Sequence, residues 1–276
     1  MQNNPVKYIT VKRVSAGNVV DSDDQLAVEE PLEIKVKYHH EGIQIIKSIS
    51  VTMRTPGNDA ELAAGFLFTE GIFKNPGQII DIQTDLFDEN KVTATFAKDE
   101  IPQLQSVERN FYTTSSCGVC GKASIDAIKT VSAYRDEEDN IQIPAGLFYS
   151  LQNALKERQE VFQNTGGLHA SALFDQQGNF LLLREDVGRH NALDKVIGTS
   201  FLNQNLPLRN SILLLSGRAS FELIQKASMA GIKIVAAIGA PSSLALQLAE
   251  DFGITLIGFL GNEKFNIYTG SQRIIV

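Results

Sequence analysis

From residue 188 onward the chain alternates between two periods: helical patterns over about 188–202, 219–230 and 242–252, separated by short apolar runs at 211–215, 232–238 and 254–260. Short apolar runs between amphipathic helices predict strands of one sheet joined by crossover helices, that is, an α/β sandwich with a mixed or mostly parallel sheet. In the last helix Leu244, Leu248 and Phe252 recur every four residues, which predicts that all three face the core.

The first hundred residues follow a different rule. Leu32, Ile34 and Val36 alternate with Glu33, Lys35 and Lys37, the period of a half-buried strand, and Gly42 precedes a second apolar run, Ile43 to Val51, as in a hairpin. Pro56-Gly57-Asn58-Asp59 then gives a helix start, Leu62, Phe66 and Leu67 mark one helical face, and Gly71 ends it. Two more strands are predicted near 79–86 and 91–97, so this part is α+β. Residues 98–120 read as an exposed loop, 123–131 as a helix, and Asp136 to Asn140 as an acidic connection. Pro144 is placed to open one long helix to about Phe162, and a hairpin over 170–183 turns at Gln176-Gln177-Gly178. The expected organisation is a small α+β domain over 1–110, a loop and helix over 111–140, and an α/β domain over 141–276.

The 276 residues carry 32 Asp and Glu against 25 Lys and Arg, a formal charge of −7. An acidic balance argues against a general nucleic-acid binder but leaves room for a local anion pocket. The longest apolar runs fall far short of the roughly 18 residues that cross a bilayer, so no membrane partner is expected. Met1 to Tyr8 lacks a basic segment followed by an apolar one, and the cytoplasm is the expected compartment.

Only two cysteines occur, in Cys117-Gly118-Val119-Cys120. This rules out a disulfide framework and leaves a redox pair, half of a zinc site, or a nucleophilic thiol with a neighbour. A closed zinc site fails on arithmetic, because beyond these two only His39, His40, His169, His190 and carboxylates are available, without a second Cys-x-x-Cys or a His-x3-5-His pair. Gly118 and Gly121 free the loop backbone. A helix starting near 121 would set its positive end beside both sulfurs and favour the thiolate.

Three polar clusters fall at predicted strand ends, where α/β sheets open crevices and helix starts offer backbone N–H groups to phosphates. They are Gly166-Gly167-Leu168-His169, Ser216-Gly217-Arg218-Ala219-Ser220, and the run from Arg184 to Lys195, which packs seven ionisable residues into twelve. The plainer account of the last is structural, with Asp186 capping a helix and His190 paired with Asp194 one turn on. Phe259-Leu260-Gly261-Asn262-Glu263-Lys264 offers backbone donors and a cation to a diphosphate or a purine, and reads equally well as a charged turn.

Taken together, Ser116 to Gly121, Glu185-Asp186-Val187-Gly188-Arg189-His190-Asn191-Ala192-Leu193-Asp194-Lys195, Ser216 to Glu222, Leu256 to Phe259 and Asn266 to Thr269 resemble the FdhD family of formate dehydrogenase accessory sulfurtransferases, over about residues 25–272. The resemblance implies a sulfur carrier. It would accept persulfide sulfur from an IscS-type cysteine desulfurase and pass it to the molybdenum, or tungsten, bis(molybdopterin guanine dinucleotide) cofactor, bound as substrate, before insertion into formate dehydrogenase. A guanine nucleotide would mimic that cargo. The resemblance further implies a homodimer, places the persulfide on Cys117 with Cys120 second, and puts the cofactor-binding stretch on Phe259, Leu260, Gly261, Asn262, Glu263 and Lys264. That stretch commonly ends in Arg in the family; Lys264 keeps the charge and loses the bidentate fork.

The resemblance also implies a second half similar to cytidine deaminase without its zinc. The glutamate two residues after a histidine that such chemistry requires is missing from Gly188-Arg189-His190-Asn191-Ala192, and no cysteine stands in 216–220. Arg184, Arg189, Arg218 and Lys264 are the candidates for neutralising phosphates, and His190 for positioning or protonating a reacting group. Two other readings stay open: a thiol-disulfide oxidoreductase, although Thr113-Thr114-Ser115-Ser116 makes a poor strand before Cys117, and a cofactor chaperone without sulfur chemistry.

Overall fold

A computed structural model describes residues 4–104, 134 and 139–276. The first element is a hairpin of β1 (Val6–Ser15) and β2 (Asn18–Ala27), a two-stranded sheet of its own. Next come β3 (Glu30–His40) and β4 (Ile43–Arg54), joined at Glu41-Gly42, where φ is 51° and 78°. Positive φ at both central residues twists a two-residue turn to match its strands. Helix α1 (Asp59–Thr69) leads to β5 (Ile79–Thr84) and β6 (Lys91–Phe96), giving a four-stranded sheet of order β4-β3-β6-β5 with β3 and β6 parallel. Leu32, Ile34 and Val36 are fully buried on its inner face, as their alternation predicts.

The second half begins with β7 (Ile143–Pro144), α2 (Ala145–Lys156) and α3 (Glu160–Thr165). The single helix expected from Pro144 to Phe162 is thus two, broken over 157–159, and α3 starts afresh with the Glu185 carboxylate accepting from the Val161 and Phe162 N–H groups at 3.1 and 2.9 Å. The remaining elements are β8 (His169–Asp175), β9 (Phe180–Asp186), α4 (Arg189–Leu202), β10 (Ser211–Leu215), α5 (Phe221–Met229), β11 (Ile234–Ala237), α6 (Ser243–Asp251), β12 (Thr255–Gly258), β13 (Asn266–Thr269) and β14 (Ile274–Ile275). They follow the alternation read from the sequence. A six-stranded sheet runs β13-β12-β11-β10-β8-β9, its centre parallel and both flanks antiparallel. On α6 the expected face is off by one position: Ala245, Leu248, Ala249 and Phe252 are buried, whereas Leu244 is 44% exposed. Spacing of three and four, not four alone, keeps a helical stripe on the core.

Alternate residues of the buried strands serve two cores. Ile212 and Leu214 join Phe148, Leu151 and Leu155 of α2 on one face. Leu213 and Leu215 join α4, α5 and α6 on the other, in a cluster that also contains Leu32, Ile34, Val36, Phe73 and Phe96. Both sheets therefore close over one core with α1 and α4 between them. This placement buries α1 nearly all round, not on one face as expected, leaving Phe66 partly exposed. The two helices touch at their backbones, since a Cβ on Gly65 would overlap the Asp194 carbonyl and one on Gly198 the Glu61 carbonyl.

Candidate functional site

Strand direction decides what meets at the sheet edge. β10, β11 and β12 are parallel, so their C-terminal ends share one edge; β8 is antiparallel to β10, which brings its first residue, His169, to that edge, and β9 returns Asp186 opposite His169. The clusters at 169, 186–190, 216–220 and 259–264 therefore converge, as strand ends do in open α/β sheets.

Backbone hydrogen bonds stitch the loops into a continuous shelf. The Gly239 N–H donates to the Gly217 carbonyl at 2.9 Å, and the Phe259 N–H donates to the Gly239 carbonyl at 3.1 Å. Close approach requires glycine here: a Cβ on Gly239 would stand 3.0 Å from Arg218 Cγ, and one on Gly258 2.8 Å from Pro241 Cδ. Phe259 takes φ 53° and stays half exposed, Leu260 is buried beneath it, and the Gly261 N–H closes a turn on the Lys264 carbonyl at 2.9 Å. Asn262, Glu263 and Lys264 remain exposed on that turn, beside a shallow groove of about 630 Å³ lined by Tyr149, Phe265, Asn266 and Ile267. The 238–242 loop was not picked out from the sequence, although Gly239-Ala240-Pro241-Ser242 occupies the same strand-to-helix position as 216–220.

The run from Arg184 to Lys195 divides into residues committed to the fold and residues left at the edge. Arg184 grips Glu61 of α1 through Nε and Nη2 at 2.6 and 2.8 Å, so its guanidinium is engaged and not available to a phosphate as expected. Asp186 does not cap α4 at its N-cap residue, which is Gly188; fully buried, it accepts from the Thr55 and Gly188 N–H groups and pairs with Lys195 Nζ at 2.8 Å. Asp194 pairs with Lys226 at 2.9 Å and accepts from the Thr69 hydroxyl, which corrects its expected pairing with His190. The reason is direction: Asp194 points into the helix interface, and His190 Nε2 meets Glu222 Oε2 at 2.8 Å across the edge. Glu222 closes the Ser216 to Glu222 stretch of the resemblance, but nothing in the sequence pointed to its pairing with His190.

Of the seven ionisable residues in this run only Arg189 has a side chain with no hydrogen-bond or ion-pair partner, backbone or side chain, among the described residues, and Arg218 and Lys264 share that condition. Helices α4 and α5 also start there without a side-chain cap bond, at Gly188 and Ser220. Burial lowers the His169 pKa, and the charges of Arg189 and His190 lower it further. The shelf thus brings Arg189, Arg218 and Lys264 to one edge alongside the carboxylates of Glu222 and Glu263, and its cations can meet phosphate oxygens. Cys117, Cys120 and the helix expected over 123–131 lie outside the described residues.

Comparison with known proteins bears directly on this arrangement. The FdhD/NarQ family model matches residues 27–275. The chain belongs to the FdhD/NarQ family. Among curated FdhD/NarQ relatives, one from Mycolicibacterium paratuberculosis named sulfur carrier protein FdhD is 47% identical over 271 residues, covering 96% of this chain and 97% of that one. Another of the same name, from Thermoplasma volcanium, is 39% identical and covers 99% and 98%. The fold is shared with a crystal structure from Desulfotalea psychrophila, provisionally described as a formate dehydrogenase accessory protein, at TM-score 0.74 and 22% identity over 99% of this chain and 100% of that one. No helix among the described residues is long and apolar enough to cross a membrane.

Proposed function

We propose that the protein is a sulfur carrier that takes persulfide sulfur from a cysteine desulfurase onto Cys117 and delivers it to a molybdenum or tungsten bis(molybdopterin guanine dinucleotide) cofactor destined for formate dehydrogenase. The observation that carries the cargo half of this reading is the shelf at the sheet edge, where Arg189, Arg218 and Lys264 have no side-chain partner among the described residues and stand beside two helix starts without side-chain caps. The sulfur half rests on Cys117-Gly118-Val119-Cys120 and on the name borne by relatives at 39–47% identity.

The chemistry closes without an outside oxidant. The Cys117 thiolate attacks the outer sulfur of the donor persulfide, forming Cys117–S–S⁻ and releasing the donor thiol after proton transfer. In delivery the Cys120 thiol attacks the inner sulfur, giving a Cys117–Cys120 disulfide and hydrosulfide, whose two electrons come from the two cysteines. A cellular thiol then reduces the disulfide. Through all of this the shelf holds the cargo by its phosphates, with Phe259 to Lys264 at its outer end.

A homodimer, a cytoplasmic setting and a cytidine-deaminase-like second half belong to the same proposal. The last is supported by an open sheet with helices on both faces. The test is mass spectrometry of the intact, alkylated protein after incubation with a cysteine desulfurase and cysteine. A 32 Da adduct (roughly the mass of one sulfur atom) is expected on wild type and Cys120→Ala and absent from Cys117→Ala. A reversible disulfide with no adduct on any form would overturn the sulfur-carrier reading.

A further inference from the structure

The turn between β5 and β6 presents Leu86 and Phe87 at 92% and 98% exposure, two adjacent large apolar side chains almost wholly in water. Scattered exposed hydrophobics are ordinary, but an apolar pair on a fixed tip is a typical anchor for a protein partner. This tip is fixed. The Phe87 N–H donates to Asp85 Oδ1 at 2.8 Å, the Asn90 N–H to Asp88 Oδ1 at 3.1 Å, and Lys91 pairs with Asp88 at 2.7 Å. Arg54, wholly buried, holds the far side of the turn, donating to Asn90 Oδ1 at 3.0 Å and to the Glu89 carbonyl at 3.3 Å while gripping Asp59. A preorganised anchor loses little entropy on docking.

The turn that carries this pair is also linked to the shelf by hydrogen bonds. Arg54 is followed by Thr55, whose N–H donates to Asp186 and whose hydroxyl accepts from the Val187 N–H, so the turn at 85–90 and the shelf turn at 186–190 are tied to neighbouring residues of one strand end. Asp85 and Glu89 flank the apolar pair in the same turn and give it a negative setting, in contrast to Arg189, Arg218 and Lys264 on the shelf.

We propose that Leu86 and Phe87 form the docking anchor for the recipient of the cargo, a protein with an apolar pocket rimmed by Lys and Arg beside its cofactor entrance. This rests on the sulfur-carrier reading, in which the recipient is formate dehydrogenase without its cofactor. A cargo as large as a bis-dinucleotide leaves from the edge where it is held, so the recipient comes to that edge; a sulfur donor has no such need.

The test is biolayer interferometry of the full chain against immobilised cofactor-free formate dehydrogenase. Leu86→Ser/Phe87→Ser is expected to weaken binding by about tenfold or more, with sulfur loading by the desulfurase and GDP binding unchanged. Ile43→Ser, an exposed apolar side chain at the opposite end of the β3–β4 hairpin from Arg54, is expected to change binding by less than about twofold. Asp85→Lys/Glu89→Lys is expected to weaken binding and flatten its salt dependence. Binding of the tip variant at wild-type affinity overturns this inference alone, as does a change confined to desulfurase loading or to self-association. No binding by the wild type overturns both this inference and the reading beneath it.

Discussion

The inward and outward halves of the Arg184–Lys195 run differ in what satisfies their charges. Arg184, Asp186, Asp194 and Lys195 find Glu61, Thr55, Lys226 and one another at the interface where α1 and α4 join the two sheets, and Glu185 accepts from the start of α3. Arg189, a few residues away, has no such partner among the described residues, and Arg218 and Lys264 stand with it on the shelf. Similar residue types do two jobs: inside, each charge is matched because burial without a partner costs several kcal/mol, and at the edge the partner is left to a ligand.

That contrast predicts opposite phenotypes. Lys195→Met leaves Asp186 buried without its counter-charge and is expected to cost about 3–5 kcal/mol, read as a lower denaturant midpoint. Arg218→Ala is expected to change stability by less than about 0.5 kcal/mol while weakening guanine-nucleotide binding. Equal stability losses for the two would erase the distinction. Gly198→Ala sets a methyl against the Glu61 carbonyl and is expected to cost about 1–3 kcal/mol as α1 and α4 separate. Arg184→Ala breaks a largely buried bidentate pair and is expected to cost about 1–2 kcal/mol, with no effect on nucleotide affinity.

The smallest effect is on pH dependence. The pKa of His169 is lowered in the fold, chiefly by burial and then by Arg189 and His190. The unfolded chain therefore takes up its proton first, so stability falls as pH drops below the ordinary histidine value of about 6.5. His169→Gln should remove part of that slope below about pH 6.5 in denaturant titrations. A steeper slope in the variant would contradict the assignment.

Much of this was legible in the sequence, for physical reasons that differ by element. The alternation after residue 188 reads well because each strand is short, wholly buried and bounded by turn residues. The clusters after β10 and β12 could be brought together from the sequence alone, since parallel strands put like ends on one edge. Pairing was not legible. Arg184 with Glu61, Lys195 with Asp186, and Asp194 with Lys226 join residues up to 123 apart in the chain, and side-chain direction across the α1–α4 contact sets them. The near-complete burial of α1 and the Gly65–Gly198 approach were hidden likewise, because a helix between two sheets has little polar face to announce it.

On this reading Arg189, Arg218 and Lys264, without partners among the described residues, receive the phosphates of a guanine-nucleotide cargo. Isothermal titration of GDP into the wild type, the Arg189→Ala/Arg218→Ala/Lys264→Ala variant and Arg184→Ala tests it most directly. The account predicts salt-sensitive binding to the wild type and Arg184→Ala, and a loss of about tenfold or more in the triple variant with its unfolding midpoint retained. Equal affinity in all three proteins would contradict it.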